Sequence, residues 1–238
     1  MILFCLPHAG ANGFSYYKWK TLLDPRFKFI TIDLPGHRAG ERGNYVDKFD
    51  VALRDVYSQI VDVLKRENDD YIIFGHSLGG LMTYELYYVL AESGQRLPWK
   101  IYISGRIPPT VEYKDDLSER LIGMDEARGY LKTNGLSAMD DKKDADFINY
   151  YGELLLADMR LMDSYKYVPH QEPVLTDTMI LFGGEDYSTP FRDIKCWGHL
   201  CKGHLTYVKI VGGHLFPLET AKDVVQLFNR DMEVYLER

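Results

Sequence analysis

The 238-residue chain has only three cysteines, Cys5, Cys196 and Cys201. An odd, unpatterned set cannot form a disulfide framework and suits a reducing compartment, so a cytoplasmic location is expected. Cationic charge is also scarce. Lys and Arg number 28 against 35 Asp and Glu, which gives a net charge of -7 and a pI near 5.5. Such a balance excludes the broad basic face that nucleic acid requires. Local basic clusters, Lys18, Lys20, Arg26 and Lys28 or Arg38 and Arg42, could still offer an acidic protein one docking patch. No apolar run approaches the length of a membrane span, so no membrane partner is expected. The N-terminus "MILFCLPHAG" lacks a basic region and its apolar run stops at Pro7, so it reads as a buried first strand and not as a signal peptide. Internal repeats and low-complexity linkers are missing too. What remains is 46% hydrophobic content, enough for one sizeable core without metal or disulfide staples. The expectation is a single domain over residues 1–238.

Short apolar, β-branched runs recur: "ILFCL" at 2–6, "FKFITID" at 27–33, "YIIF" at 71–74, "WKIYIS" at 99–104, "TMILFG" at 178–183 and "LTYVKIV" at 205–211. Near-continuous hydrophobicity marks strands buried on both faces, hence a mostly parallel central sheet. Helical patterns lie between them. Leu53, Val56, Ile60 and Val63 form one stripe, and Ala221, Val224, Val225, Phe228, Met232 and Tyr235 form another. Gly94 is placed to end the helix that begins near residue 78. Strands alternating with helices give an α/β fold. One interval breaks the alternation: roughly sixty residues between Pro108 and Pro173 carry no convincing strand. That is too long for a loop, so it should hold helices of its own, an inserted helical lid at about 110–170. The Leu, Met and Tyr of "YYGELLLADMRLMDSY" either line an acyl cavity there or pack the lid on the body.

The stretch "YIIFGHSLGGLMTYE" runs from a buried strand through Gly75, Ser77 and Gly79 into a helix. A strand that turns at once into a helix tolerates almost no side chain beside the turn. This is the GxSxG pattern, with Ser77 on an exposed elbow. The plainer alternative is a serine that only caps the helix. A serine hydroxyl is a weak nucleophile, so it needs a base and a carboxylate to orient that base. Both occur after strand ends, in the order serine, acid, histidine. Asp186 follows "TMILFG", with Pro190 able to start the next helix, and His214 follows "LTYVKIV" behind Gly212 and Gly213. Glu185 should face away, and Asp193 should lie within a helix. Donors for an oxyanion are expected at the backbone N–H groups of Leu78 and Ala9, the latter in the small-residue loop "PHAGANGF". The segment "CWGHLCKGH" offers Cys196, His199, Cys201 and His204 as possible zinc ligands. If it is helical, as expected before a strand, the four diverge and cannot share a metal.

With those residues in hand the chain resembles the type II thioesterases of the α/β-hydrolase superfamily, the editing enzymes of polyketide and nonribosomal peptide assembly lines. The likeness rests on "LFCLPHAGA", "LPGHRAGER", "FGHSLGG", "LLLADMRLMDSYKY", "LFGGEDYSTP" and "VGGHLFPLE". It implies an α/β-hydrolase fold with a mostly parallel sheet flanked by helices and an inserted lid. It also implies hydrolysis of acyl thioesters on the phosphopantetheine arm of carrier proteins, by the triad Ser77, Asp186 and His214 with Ala9 and Leu78 as oxyanion donors. No metal or organic cofactor is required. Where the family commonly has a second glycine after "PHAG" this chain has Ala11, and where an arginine commonly follows "LPG" it has His37 and then Arg38. The same three side chains would serve an esterase or lipase acting on small free esters, or a lyase or cyclase releasing an acyl chain by internal attack. A lone chain with no obvious oligomer face is expected to be a monomer.

Overall fold

The computed structural model describes residues 1–112, 123–133, 140 and 143–237. Six strands form one parallel sheet: β1 (Ile2–Leu6), β2 (Lys28–Thr31), β3 (Tyr71–His76), β4 (Lys100–Ser104), β5 (Asp177–Gly183) and β6 (Leu205–Ile210). Their order is β2-β1-β3-β4-β5-β6, which puts β3 among the central strands with its C-terminal end between those of β1 and β4. All six coincide with the apolar runs expected from sequence: β1 matches its run, β2, β4 and β6 are shorter by one to three residues, and β3 and β5 extend two and one residues beyond theirs.

Alternation along each strand divides the interior into two cores, because successive side chains point to opposite faces. Ile2, Phe4 and Leu6 join Tyr71, Ile73, Ile101, Ile103 and Ile180 on one face. Helices α1 (Phe49–Leu64) and α2 (Leu78–Glu92) cover it with Val56, Ile60, Leu81 and Leu90. Leu3 and Cys5 join Ile72, Phe74, Tyr102 and Leu181 on the other face. There the 3-10 segment Gly13–Thr21 supplies Tyr16 and Trp19, and the C-terminal helix (Ala221–Leu236) supplies Val224, Val225 and Phe228. Buried indole N–H groups are satisfied: Trp19 donates to the Pro217 carbonyl at 3.0 Å and Trp197 to that of Arg106 at 2.8 Å.

Between β4 and β5 the chain forms α3 (Met124–Thr133) and α4 (Ala145–Asp163), the helices expected of the lid. Parts of that interval, 113–122, 134–139 and 141–142, lie outside the described residues. Leu155 and Met159 of α4 pack with Ala127 of α3 and with Ala9, so these two apolar side chains seat the lid on the body. The C-terminal helix is labelled α5 below.

Two turns explain why particular glycines stand where they do. Helix α2 ends at Gly94, φ +63°, with Gly94 N–H bonded to the Ala91 carbonyl and Gln95 N–H to that of Leu90. This is the left-handed cap expected from sequence. At its other end α2 starts directly after β3, and a Cβ on Gly79 would lie 2.1 Å from the Leu6 carbonyl oxygen. One on Gly75 would lie 2.0 Å from the Gly79 carbonyl oxygen. The segment 195–204 departs from expectation. Only Lys195–His199 is helical, and as a 3-10 turn; Cys201 pairs in an isolated bridge with Val174. Its Trp197 is fully buried, and that anchoring outweighs extension of a regular helix.

The two glycine sites should therefore respond differently to a methyl group. Gly94→Ala faces open space and meets only the left-handed backbone penalty, about 1 kcal/mol. Gly79→Ala forces backbone apart and should cost about 3 kcal/mol or more. Urea unfolding of both variants against wild type measures the difference.

Candidate active site

The C-terminal ends of β1, β3, β5 and β6 point to one edge of the sheet, and the four segments that follow them carry Ala9, Ser77, Leu78, Asp186 and His214. Ser77 stands between the last residue of β3 and the first of α2, at φ 53° and ψ -110°. Among the described residues it is the one non-glycine with positive φ. Its own N–H bonds to the Ser104 carbonyl at 2.8 Å and its carbonyl accepts from Leu81 at 3.1 Å, so the strained peptide is held from both sides. The side chain makes no capping bond to the helix, which removes the plainer reading of a helix-capping serine. Among the described residues Oγ forms no hydrogen bond at all, to His214 or otherwise.

Asp186 is buried in the turn after β5. Its Oδ2 lies 2.7 Å from His214 Nδ1 and accepts from Thr189 Oγ1 at 2.7 Å. Oδ1 accepts from the Ser188 N–H at 3.0 Å and from Ser188 Oγ at 2.6 Å. Burial alone would raise this carboxyl; the His214 bond and charge and the Ser188 and Thr189 donors outweigh it and hold it far below the usual carboxylate range. Since a carboxylate only accepts, Nδ1 carries a proton, and Nε2 is the nitrogen that gains or loses one. Ser188 and Thr189 were not anticipated. Their signal was legible in "DYSTP": hydroxyls two and three residues after an aspartate fold back on it, as such residues do in turns. Glu185 is exposed, and Asp193 lies in the short turn Phe191–Ile194, so neither competes.

His214 reaches the site because the two loops at this edge cross closely. A Cβ on Gly183 would lie 2.4 Å from the Gly213 carbonyl oxygen, and Gly212 adopts φ +117°. Glu185 N–H donates to the Gly212 carbonyl at 2.9 Å, tying the acid and histidine loops together. The His214 ring centroid lies 5.1 Å from that of His76, the residue before Ser77. His76 and His8 form an aromatic layer beneath, 5.7 Å apart. Burial, reinforced by the nearby His214 charge, pushes His8 down to about 3 and His76 well below its ordinary value. Both rings stay neutral at working pH.

The N–H groups of Ala9 and Leu78 have no acceptor among the described residues, and Leu78 begins α2, where the helix dipole favours negative charge. Elsewhere the sequence clusters disperse. The Cys201 thiol is buried and pushed up to about 11, and Cys196 Sγ faces the Arg192 carbonyl. Among the described residues no group of His, Cys, Asp and Glu is arranged to hold a metal ion, and no helix is long and apolar enough to cross a membrane. Four of the six basic residues considered for docking are engaged by acids: Arg26 by Asp24 and Glu233, Lys28 by Glu67, Arg38 by Asp55 and Arg42 by Glu153.

Comparison with known proteins places this geometry in context. The family model of the thioesterase domain matches residues 1–232. The gramicidin S biosynthesis protein GrsT of Aneurinibacillus migulanus is 23% identical over 239 residues, covering 98% of this chain and 90% of that protein. The structure of ClbQ from the colibactin nonribosomal peptide/polyketide pathway superposes with a TM-score of 0.85 at 23% identity, covering 98% and 97% of the two chains. That of the type II thioesterase BorB from the borrelidin biosynthetic cluster gives 0.82 at 22%, covering 96% and 91%. The fold is thus the α/β-hydrolase fold of these proteins.

The Asp186 contacts make a pH-dependent contribution to stability. A carboxyl whose folded value is depressed stabilises above its unfolded pKa of about 3.9 and loses that contribution as pH falls toward the folded value. Asp186→Asn should thus cost on the order of 2 kcal/mol at pH 7. The gap should close as the pH is lowered below about 4. Denaturant unfolding of both proteins across pH reads this directly, and a gap independent of pH would contradict it.

Proposed function

The chain belongs to the thioesterase domain family, and on that premise we propose that it hydrolyses acyl thioesters carried on the phosphopantetheine arm of carrier proteins. In this reading it edits or regenerates the assembly lines of nonribosomal peptide or polyketide synthesis. The observation that carries the reading is His214, held by Asp186 at 2.7 Å in the tautomer a general base needs, at the same sheet edge as the unbonded hydroxyl of Ser77.

The chemistry follows in two steps. His214 Nε2 takes the Ser77 proton as Oγ attacks the thioester carbonyl, and the resulting imidazolium is stabilised by Asp186. Ala9 and Leu78 N–H groups hold the oxyanion, where unpaired donors at a helix start are worth most. A pantetheine thiol has a pKa of about 8.5, so it departs readily as the C–S bond breaks and takes the proton from the His214 imidazolium, which restores the neutral ring and leaves the acyl group on Ser77 Oγ. The neutral imidazole then takes a proton from water as it attacks the acyl-enzyme and passes it to Ser77 Oγ as the ester bond breaks and the acid is released. No residue outside these five is asked to exchange a proton. The neutral His8 and His76 suit this scheme, because a second cation beside His214 would oppose formation of the imidazolium. The carrier-protein partner is supported by the relatives from peptide and polyketide pathways. The exposed Lys18 and Lys20, beside the exposed Phe14 and Tyr17 just after the Ala9 loop, are available to an acidic partner.

The test is release of free acid from carrier proteins loaded with acetyl, medium-chain, branched and aminoacyl groups, with a nitrophenyl ester alongside. Ser77→Ala should lose on the order of 10⁴- to 10⁶-fold in kcat, and Asp186→Asn on the order of 10⁴-fold. Turnover of the free ester with carrier thioesters untouched would replace the thioesterase reading by an esterase one.

A further inference from the structure

Asp158 of α4 and His37, in the loop between β2 and α1, are buried charged residues at 2% and 3% exposure, and the steps above use neither. Asp158 Oδ2 accepts from Gly10 N–H at 2.7 Å, and Oδ1 lies 3.1 Å from His37 Nε2. On the other side of the ring, His37 Nδ1 lies 2.9 Å from the Ala11 carbonyl oxygen. A carbonyl oxygen can only accept, so Nδ1 carries a proton; a carboxylate can only accept, so Nε2 carries one as well. Beside a carboxylate at Asp158, His37 is therefore an imidazolium, and the two form an ion pair.

The surroundings agree. Burial by itself would lower the His37 pKa; the Asp158 charge and hydrogen bond, the Ala11 carbonyl and the Asp33 charge outweigh it and hold the ring above its ordinary value. Tyr45 packs edge-on at 6.2 Å, and Tyr150 of α4 donates to the His37 carbonyl at 3.4 Å. The neighbouring cation, Arg38, is drawn off by Asp55 and Glu41.

What the pair grips is the loop after β1. Gly10 gives its N–H to the lid helix, Ala11 gives its carbonyl to His37, and the N–H of Ala9 next to them is left without an acceptor among the described residues. Gly10 adopts φ +76°, and a Cβ there would lie 2.9 Å from Leu155 Cβ, so α4 rests directly on this peptide. Ala9 packs among Ala127, Leu155 and Met159 of the lid. We propose that Asp158, acting through Gly10 and together with His37, is a positioning residue for the oxyanion donor at Ala9, making that donor dependent on a seated lid helix. The proposal rests on the acyl-enzyme reading above and deepens it.

The pH sign follows from His37. A group with a raised folded pKa holds its contacts fully below its unfolded value of about 6.5 and loses them as pH rises through the folded value. The clamp should then weaken on the alkaline side. Asp158→Asn keeps an acceptor for Gly10 and an amide donor for a neutral His37, so it preserves the grip without the charge. The experiment measures kcat and KM across pH for the full chain with a small acyl-N-acetylcysteamine thioester and a nitrophenyl ester, which need no carrier. Asp158→Ala should lose 10- to 100-fold in kcat, on the order of a misplaced catalytic group, with KM changed by less than about threefold. Asp158→Asn should recover most of that loss. The alkaline fall in wild-type kcat should be absent in both Asp158→Asn and His37→Gln. Should Asp158→Ala fail to fold, the two near-isosteric variants decide the matter through their pH profiles. Wild-type kcat in folded Asp158→Ala, or an unchanged alkaline limb in both neutral variants, would overturn the proposal. Turnover surviving in Ser77→Ala would instead overturn the acyl-enzyme reading.

Discussion

The constraint on which the site depends is the contact between the start of α2 and the end of β1. Gly79 touches the Leu6 carbonyl, and Gly75 touches Gly79, at distances that admit hydrogen alone. With the helix pressed this near, the chain has only one residue in which to reverse from strand to helix, and that residue, Ser77, is forced to positive φ. Strain of this kind costs of order 1–3 kcal/mol and persists only where surrounding structure overdetermines it. Here the bonds of Ser77 N–H to Ser104 and of its carbonyl to Leu81 do so. The same contact brings the loop after β1 beside the first N–H groups of α2, so a half-buried, unbonded hydroxyl and donors from two segments arise from one packing decision.

Around that elbow the protein keeps charge under strict control. The His76 imidazole lies in ring contact with both His8 and His214, yet His8 and His76 are neutral by burial and His214 is held by a carboxylate that accepts from four donors. An unpaired charge in such an interior would cost far more than a hydrogen bond returns. Of these three rings only His214 has a carboxylate beside it to compensate a positive charge. The unpartnered His76 Nε2 fits the same logic: a neutral ring tolerates a missing partner that an imidazolium could not.

Much of this was legible in sequence because it rests on local signals. Strands buried on both faces write continuous apolar runs, and the turn after each strand carries its small or polar residues in a fixed order. The places of Ser77, Asp186 and His214 in the turns after three strands were legible from those turns taken together, and that of Gly94 from its position at the end of a helix. The zinc-like segment shows the limit, since burial of Trp197 set its conformation and no periodicity announced it. Asp158 shows a deeper one. Its partners, Gly10 and His37, lie 148 and 121 residues away in the chain, and a single aspartate on an amphipathic helix looks like any solvated residue until the helix is docked.

That docking gives the lid a meaning beyond covering the site. An apolar lid surface alone could slide, because hydrophobic contact is not directional. The buried ion pair adds direction, and its cost reinforces its specificity: separating Asp158 from His37 and Gly10 would leave charges and a donor unpaired, a penalty of several kcal/mol unless water enters. In the structure the lid helix is seated with the loop clamped, and on the proposal above lifting it would break the bonds to Gly10 and His37 together. The proposed coupling runs through a peptide bond, from a carboxylate on the lid to the N–H of Gly10 and so to the orientation of Ala9, whose N–H is the proposed donor.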